Sequence, residues 1–273
     1  MKTVSILIIG FGSLVILAGL LLIGIVAFVQ PETNLIPSRL PNRLAYPTHA
    51  ALGTVFRYIS PERSAAQWLK AASHARGPED ISRAAAGIRA ALQRAAPTDH
   101  LNLDVCMAAL HGSLSVQAAV REAGVSCPSD LSDRHHVAEG MPVPYQTRPP
   151  IAGPHYDTPY SPYGVVDHTI LPGFWVHNLE HGAIVVLYNC PAGCPDLVAQ
   201  IRALIATLPP NRNNPGGAPR LLAIPYSAMD HRLSLIAWGH LRELDSFDGR
   251  RIATFYTAFV DQGPECRGLI CPP

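Results

Sequence analysis

Six of the twelve histidines, His135, His136, His155, His168, His177 and His181, fall inside residues 135–181 of a 273-residue chain. Neutral imidazole is the commonest transition-metal ligand, and three or four rings aimed at one point by a stiff backbone would hold zinc or copper. The densest cluster is His177-Asn178-Leu179-Glu180-His181-Gly182. On a helix, His-x-x-Glu-His sets two imidazoles one turn apart with the glutamate as base, the arrangement of a zinc-dependent hydrolase. The run into Gly182 and a β-branched stretch leaves room for barely one helical turn. On a strand, a spacing of four still puts His177 and His181 on one face, because side chains alternate with period two. The predicted ligands are therefore His155, His177 and His181, with His135 or His136 as a fourth. Glu180 and Tyr145 are assigned supporting roles, Glu180 by orienting a ligand ring. The bland alternative is a set of structural histidines that hydrogen-bond the backbone and one another. No catalytic residue is assigned, and binding is favoured over catalysis. A nucleophile of the Gly-x-Ser-x-Gly type is absent. Cys190 and Cys194 have three residues between them and so lack redox Cys-x-x-Cys spacing, and Gly216-Gly217 is followed by no phosphate-loop Lys.

These residues need elements to position them. Residues 128–175 are proline-dense, with eight prolines from Pro142 to Pro172 that rule out long helices. A loop this long and this rich in Tyr and His reads as ordered and functional. After it, 183–188 is a continuous apolar run and hence a buried strand, and 196–208 has helical spacing through Leu197, Ile201, Leu204 and Ile205. Residues 220–226 and 233–240 read as strands and 248–260 as a closing helix. The order predicts an α+β fold, a small mixed sheet with packed helices and a long proline-rich loop. Upstream, Ser60-Pro61-Glu62 is a helix N-cap, first-turn proline and dipole-matched carboxylate. Further helices follow Gly77-Pro78, Pro97-Thr98 and Ser113, forming a small helical subdomain over 60–127.

From 4 to 29 no residue is charged, and about 26 apolar residues at 1.5 Å each exceed the ~30 Å hydrocarbon core. That length predicts an uncleaved transmembrane helix, so residues 1–30 form an anchor to the lipid bilayer. Pro31, Pro37, Pro41 and Pro47 then predict a stiff, extended spacer over 31–59. Flanking positive charge is nearly balanced, so the six cysteines decide orientation: an even number, four of them in two close pairs, suits an oxidising compartment. The soluble part, with its α+β domain over 128–273, is accordingly expected outside the cytoplasm, single-pass, with a membrane-protein partner as a second expected contact. Cys190–Cys194 and Cys266–Cys271 are the expected disulfides. A formal net charge of +1 without any basic tract gives nucleic acid no electrostatic footprint.

The residues also carry a resemblance. Tyr145, the run from Pro149 to His155, Tyr163-Gly164 and the run from Val176 to Ala183 resemble the DUF3105 family, a bacterial domain of unknown function, over about residues 134–266. The resemblance implies a leading histidine matched by His135 or His136, and frequent membrane anchoring. It departs from the family at Ile151-Ala152, where hydroxyls are usual, and at Tyr163-Gly164, where the order is reversed. It brings no established activity; besides metal binding, a non-catalytic accessory subunit of a membrane complex suits it.

Overall fold

The computed structural model describes residues 42–214, 216–266 and 270–272. The predicted anchor lies outside the described residues, among which no helix is long and apolar enough to cross a membrane. They divide into two compact units, one running to Arg94 and taking in Gly112–Ala123, the other made of Ala95–His111 and Gly124–Pro273.

The first unit holds α1 (Asn42–Phe56), α2 (Pro61–Ser73), α3 (Pro78–Leu92) and α5 (Leu114–Glu122). The expected extended spacer is thus corrected over Asn42–Phe56, which is helical with Pro47 inside it. Pro47 costs the helix one backbone bond and crowds the carbonyl four residues before it, a cost offset by the burial of Ala45, Tyr46, Leu52 and Phe56. Ser60 caps α2 as predicted, its hydroxyl accepting from the Arg63 amide. The Trp68 indole fills the space between two glycines: a Cβ on Gly53 or Gly87 would lie 2.7 Å or 2.2 Å from its atoms.

The second unit is built on a five-stranded mixed sheet in the order β3-β5-β4-β6-β7. Its strands are β3 (Gly164–Val165), β4 (Ile184–Tyr188), β5 (Leu221–Pro225), β6 (Leu233–Ala237) and β7 (His240–Leu244). β5 runs parallel to β3 and β4, and β6 antiparallel to β4 and β7. The predicted single strand over 233–240 is instead a hairpin whose Ala237 and His240 pair across Trp238-Gly239, Gly239 taking a positive φ. Both faces of β4 are covered, so its period-two alternation sends Val185 and Leu187 to one core and Ile184, Val186 and Tyr188 to the other. α7 (Pro195–Ile205) and α8 (Gly249–Phe259) cover the second core, and α6 (Pro172–Glu180) the first.

α4 (Leu101–His111), which the sequence groups with the other helices, packs in this second unit. Leu103 and Cys106 join the core of Trp175 and Trp238, and Asp104 bonds His240 and Arg242 of β7. The proline-rich segment carries two short strands, β1 (His136–Val137) and β2 (His155–Tyr156), paired in parallel. Three disulfides close the chain, Cys106–Cys127 beside the two expected pairs.

Candidate metal centre

Pro172 opens α6 at a first-turn position, where its missing N–H costs nothing, and the helix runs through Trp175, Val176 and Leu179 in the core. The expected extended backbone at 177–181 is thereby corrected: His177 and His181 lie one helical turn apart, His181 at the C-cap. Tertiary burial of the α6 face decides this against the β-branched residues downstream. Gly182 turns the chain into β4 with φ +87°, and a Cβ there would meet Cys266 Sγ at 2.7 Å.

The parallel register of β1 and β2 sets His136 opposite His155. His135, one residue before β1, turns elsewhere: its ring bonds Asp133 Oδ1 at 2.6 Å in solvent. Of the two leading histidines, His136 joins the cluster and His135 does not. His168 is also apart, exposed beside Asp167. Tyr145 holds the segment from behind, its hydroxyl donating to Pro154 O at 2.8 Å.

His136, His155, His177 and Glu180 each offer one ligand atom within 4.8 Å of the others. His155, His177 and Glu180 are buried, whereas the His136 side chain is 43% exposed. Sequence reasoning gave Glu180 a supporting part; the geometry puts its carboxylate among the ligand atoms. The helix accounts for this, since residues three apart on α6 share a face and Glu180 follows His177 by three.

The outer ring nitrogens fix the tautomers. His155 Nδ1 donates to Gly153 O at 2.8 Å and His177 Nδ1 to Tyr156 O at 2.6 Å, since a carbonyl can only accept. His136 Nδ1 lies 3.0 Å from Asp157 Oδ1. His155 and His177, so held, turn Nε2 toward the Glu180 and His181 side chains, as metal-binding histidines turn it toward an ion. His155 Nε2 then sits 2.9 Å from Glu180 Oε2. Two acceptors at that distance require a cation between them, a proton or a metal ion. Arg134 Nε approaches the other Glu180 oxygen at 3.9 Å.

His181 stands beside this set. Its Nε2 lies 2.9 Å from His177 Nε2 and 3.3 Å from Glu265 Oε2. With Nδ1–H of His177 committed to Tyr156, His181 must be the donor, so a metal and His181 compete for one lone pair. Burial, reinforced by the neighbouring His181, His155 and His136, pushes His177 down to about 4 despite its bond to Tyr156. Burial alone would raise the Glu180 carboxyl, but the hydrogen bond from His155 and the charges of His155 and Arg134 hold it below the ordinary value.

Residues 136–271 match the family described as "Protein of unknown function (DUF3105)". The chain carries a DUF3105 domain. The matched span holds all four clustered residues and the whole five-stranded sheet. No curated protein and no solved structure matches the chain significantly.

Proposed function

We propose that this DUF3105 domain is a metal-binding module, held outside the cytoplasm by an N-terminal transmembrane helix, with His136, His155, His177 and Glu180 binding one transition-metal ion, zinc or copper. The observation that carries it is the His155–Glu180 contact at 2.9 Å, with the other nitrogen of His155 already spent on a backbone carbonyl. Three imidazoles and a carboxylate suit zinc or copper, and the solvent-facing His136 is the route by which the ion enters. His181 acts as a placeholder that hydrogen-bonds His177 until the metal arrives.

The oxidising compartment draws support from three disulfides and no free cysteine among the described residues. The hydrolase reading gains a helix through His177-x-x-Glu180-His181, but its base would be Glu180, which faces His155 inside the ligand set. An accessory subunit of a membrane complex that uses the bound ion structurally fits the same geometry.

The test is metal analysis of the purified full-length chain after loading with zinc or copper and dialysis. One equivalent is expected in the parent protein and in His231→Ala, and a loss of more than about ten-fold in affinity in His155→Ala or His177→Ala. A parent protein that retains only trace metal of either kind overturns the proposal.

A further inference from the structure

The exposed face of α1 has no role in the centre just described. At 100° per residue, Leu44, Pro47, Ala51 and Val55 fall within an arc of about 80° on one side of the helix. The opposite side is the one that buries Ala45, Tyr46, Leu52 and Phe56 against the unit's own core. The turn after α1 continues the stripe with Tyr58 and Ile59. Leu44 is 49% exposed, Val55 43%, Tyr58 71% and Ile59 51%, a contiguous apolar strip where large side chains are normally scattered singly.

We infer that α1 lies on an anionic lipid surface, its stripe immersed at the boundary of headgroups and acyl chains. This rests on the anchor reading above. The charge-free stretch ends at residue 29 and α1 begins at Asn42, leaving twelve residues between them. Fully extended, twelve residues reach about 40 Å, so an anchored chain never carries α1 far from the bilayer. At the high local concentration such a tether imposes, a stripe too small to bind membranes alone suffices.

The chemistry at the end of the stripe favours lipid over a protein groove. The Tyr58 ring is flanked by the guanidinium groups of Arg57 and Arg94, 5.6 Å and 5.8 Å from its centroid. Arg63 lies 6.0 Å from the centroid of Phe56 in the same region. Glu62, the next carboxylate along the chain, is engaged by the Ser60 hydroxyl at 2.6 Å. Aromatic and basic groups beside an apolar strip are the composition of an interfacial helix, and arginines close to an anionic surface are attracted to it.

The experiment places a photoreactive benzophenone side chain at Val55 of the full-length chain in phosphatidylethanolamine–phosphatidylglycerol vesicles, with Lys70 on α2 as the exposed comparison site. Illumination is expected to give phospholipid adducts at Val55 several-fold above those at Lys70. Val55→Glu combined with Ile59→Glu is expected to remove lipid adducts at Ala51 while the chain stays in the vesicles. A vesicle-retained chain that forms no lipid adduct at Val55, or cross-links there to a second copy or another protein, overturns this inference alone. A chain washed off the vesicles at alkaline pH overturns the anchor reading, and this inference with it.

Discussion

At the scale of single residues, the centre is defined by which nitrogen of each imidazole is already committed. His155 and His177 spend Nδ1 on the carbonyls of Gly153 and Tyr156, and this leaves Nε2 as the nitrogen each ring turns to the cluster. His177→Asn should therefore lose metal as fully as His177→Ala, since its amide stands where Nδ1 did and can keep the hydrogen bond to Tyr156 O but supplies no imidazole lone pair; equal metal content in the two variants is the check. The same burial makes the metal-free protein acid-sensitive. His177 drops from an ordinary 6.5 to about 4, so between those values the unfolded chain takes up a proton that the folded chain refuses. Stability is complete above about pH 6.5 and falls as the pH goes down toward about 4. The loss is at most a few kcal/mol, since each tenfold drop in proton affinity is worth about 1.4 kcal/mol. Glu180, also lowered, acts in the same direction at more acid pH, its contribution being lost as pH falls through its folded value. Urea unfolding of metal-free protein at pH 7 and pH 5 should show the loss, and His177→Ala should flatten it.

At the scale of elements, contacts too close for a side chain mark where backbones and rings had to meet. Trp68 sits where a Cβ on Gly87 would be 2.2 Å from its ring atoms. Gly87→Ala should destabilise the first unit by about 1–3 kcal/mol through overpacking, although alanine is the better helix former; thermal unfolding followed by Trp68 fluorescence measures it. Beside the centre, the Cys266–Cys271 disulfide lies against Gly182, and the neighbouring Glu265 amide donates to Glu180 O at 3.2 Å. Replacing both cysteines by serine should cost about 2 kcal/mol from the short loop it closes. The same exchange at Cys106 and Cys127, which closes a longer loop, should cost about 3 kcal/mol. Denaturant midpoints of the two double variants decide the order. Much of the element pattern was legible: α2, α3, β4, α7, β5 and α8 follow from capping residues and apolar period. The α6 helix was not, because its nine residues carry conflicting local signals that only packing against the sheet resolves.

At the scale of the whole molecule, the expected topology makes a direct prediction. A cysteine introduced near Pro41 should be labelled by an impermeant maleimide in intact cells, and labelling only after lysis would place the domain in the cytoplasm. That result would also conflict with the disulfides, which need an oxidising compartment to persist. The two compact units also part helices that look alike in sequence. Alanine-rich helices joined by tight breaks carry no mark of the unit they join, yet α4 belongs with the sheet because Asp104 bonds His240 and Arg242 and Cys106 is bridged to Cys127.

Sequence by itself determined the mixed α+β architecture, two of the three disulfides, the membership of His155 and His177 in one cluster, and the DUF3105 character of the C-terminal half. Each of these rests on local periodicity, short chain separation or a motif, all of which are visible one residue at a time. Tertiary structure alone decided that His136 and Glu180 complete the set while His135 turns outward and His181 stands beside it. The reason is geometric. His136 reaches the cluster through a parallel strand pairing with His155, nineteen residues on, and Glu180 through the pitch of a helix that exists only because its other face is buried. Neither the pairing nor the burial is encoded in the spacing of the residues that use them.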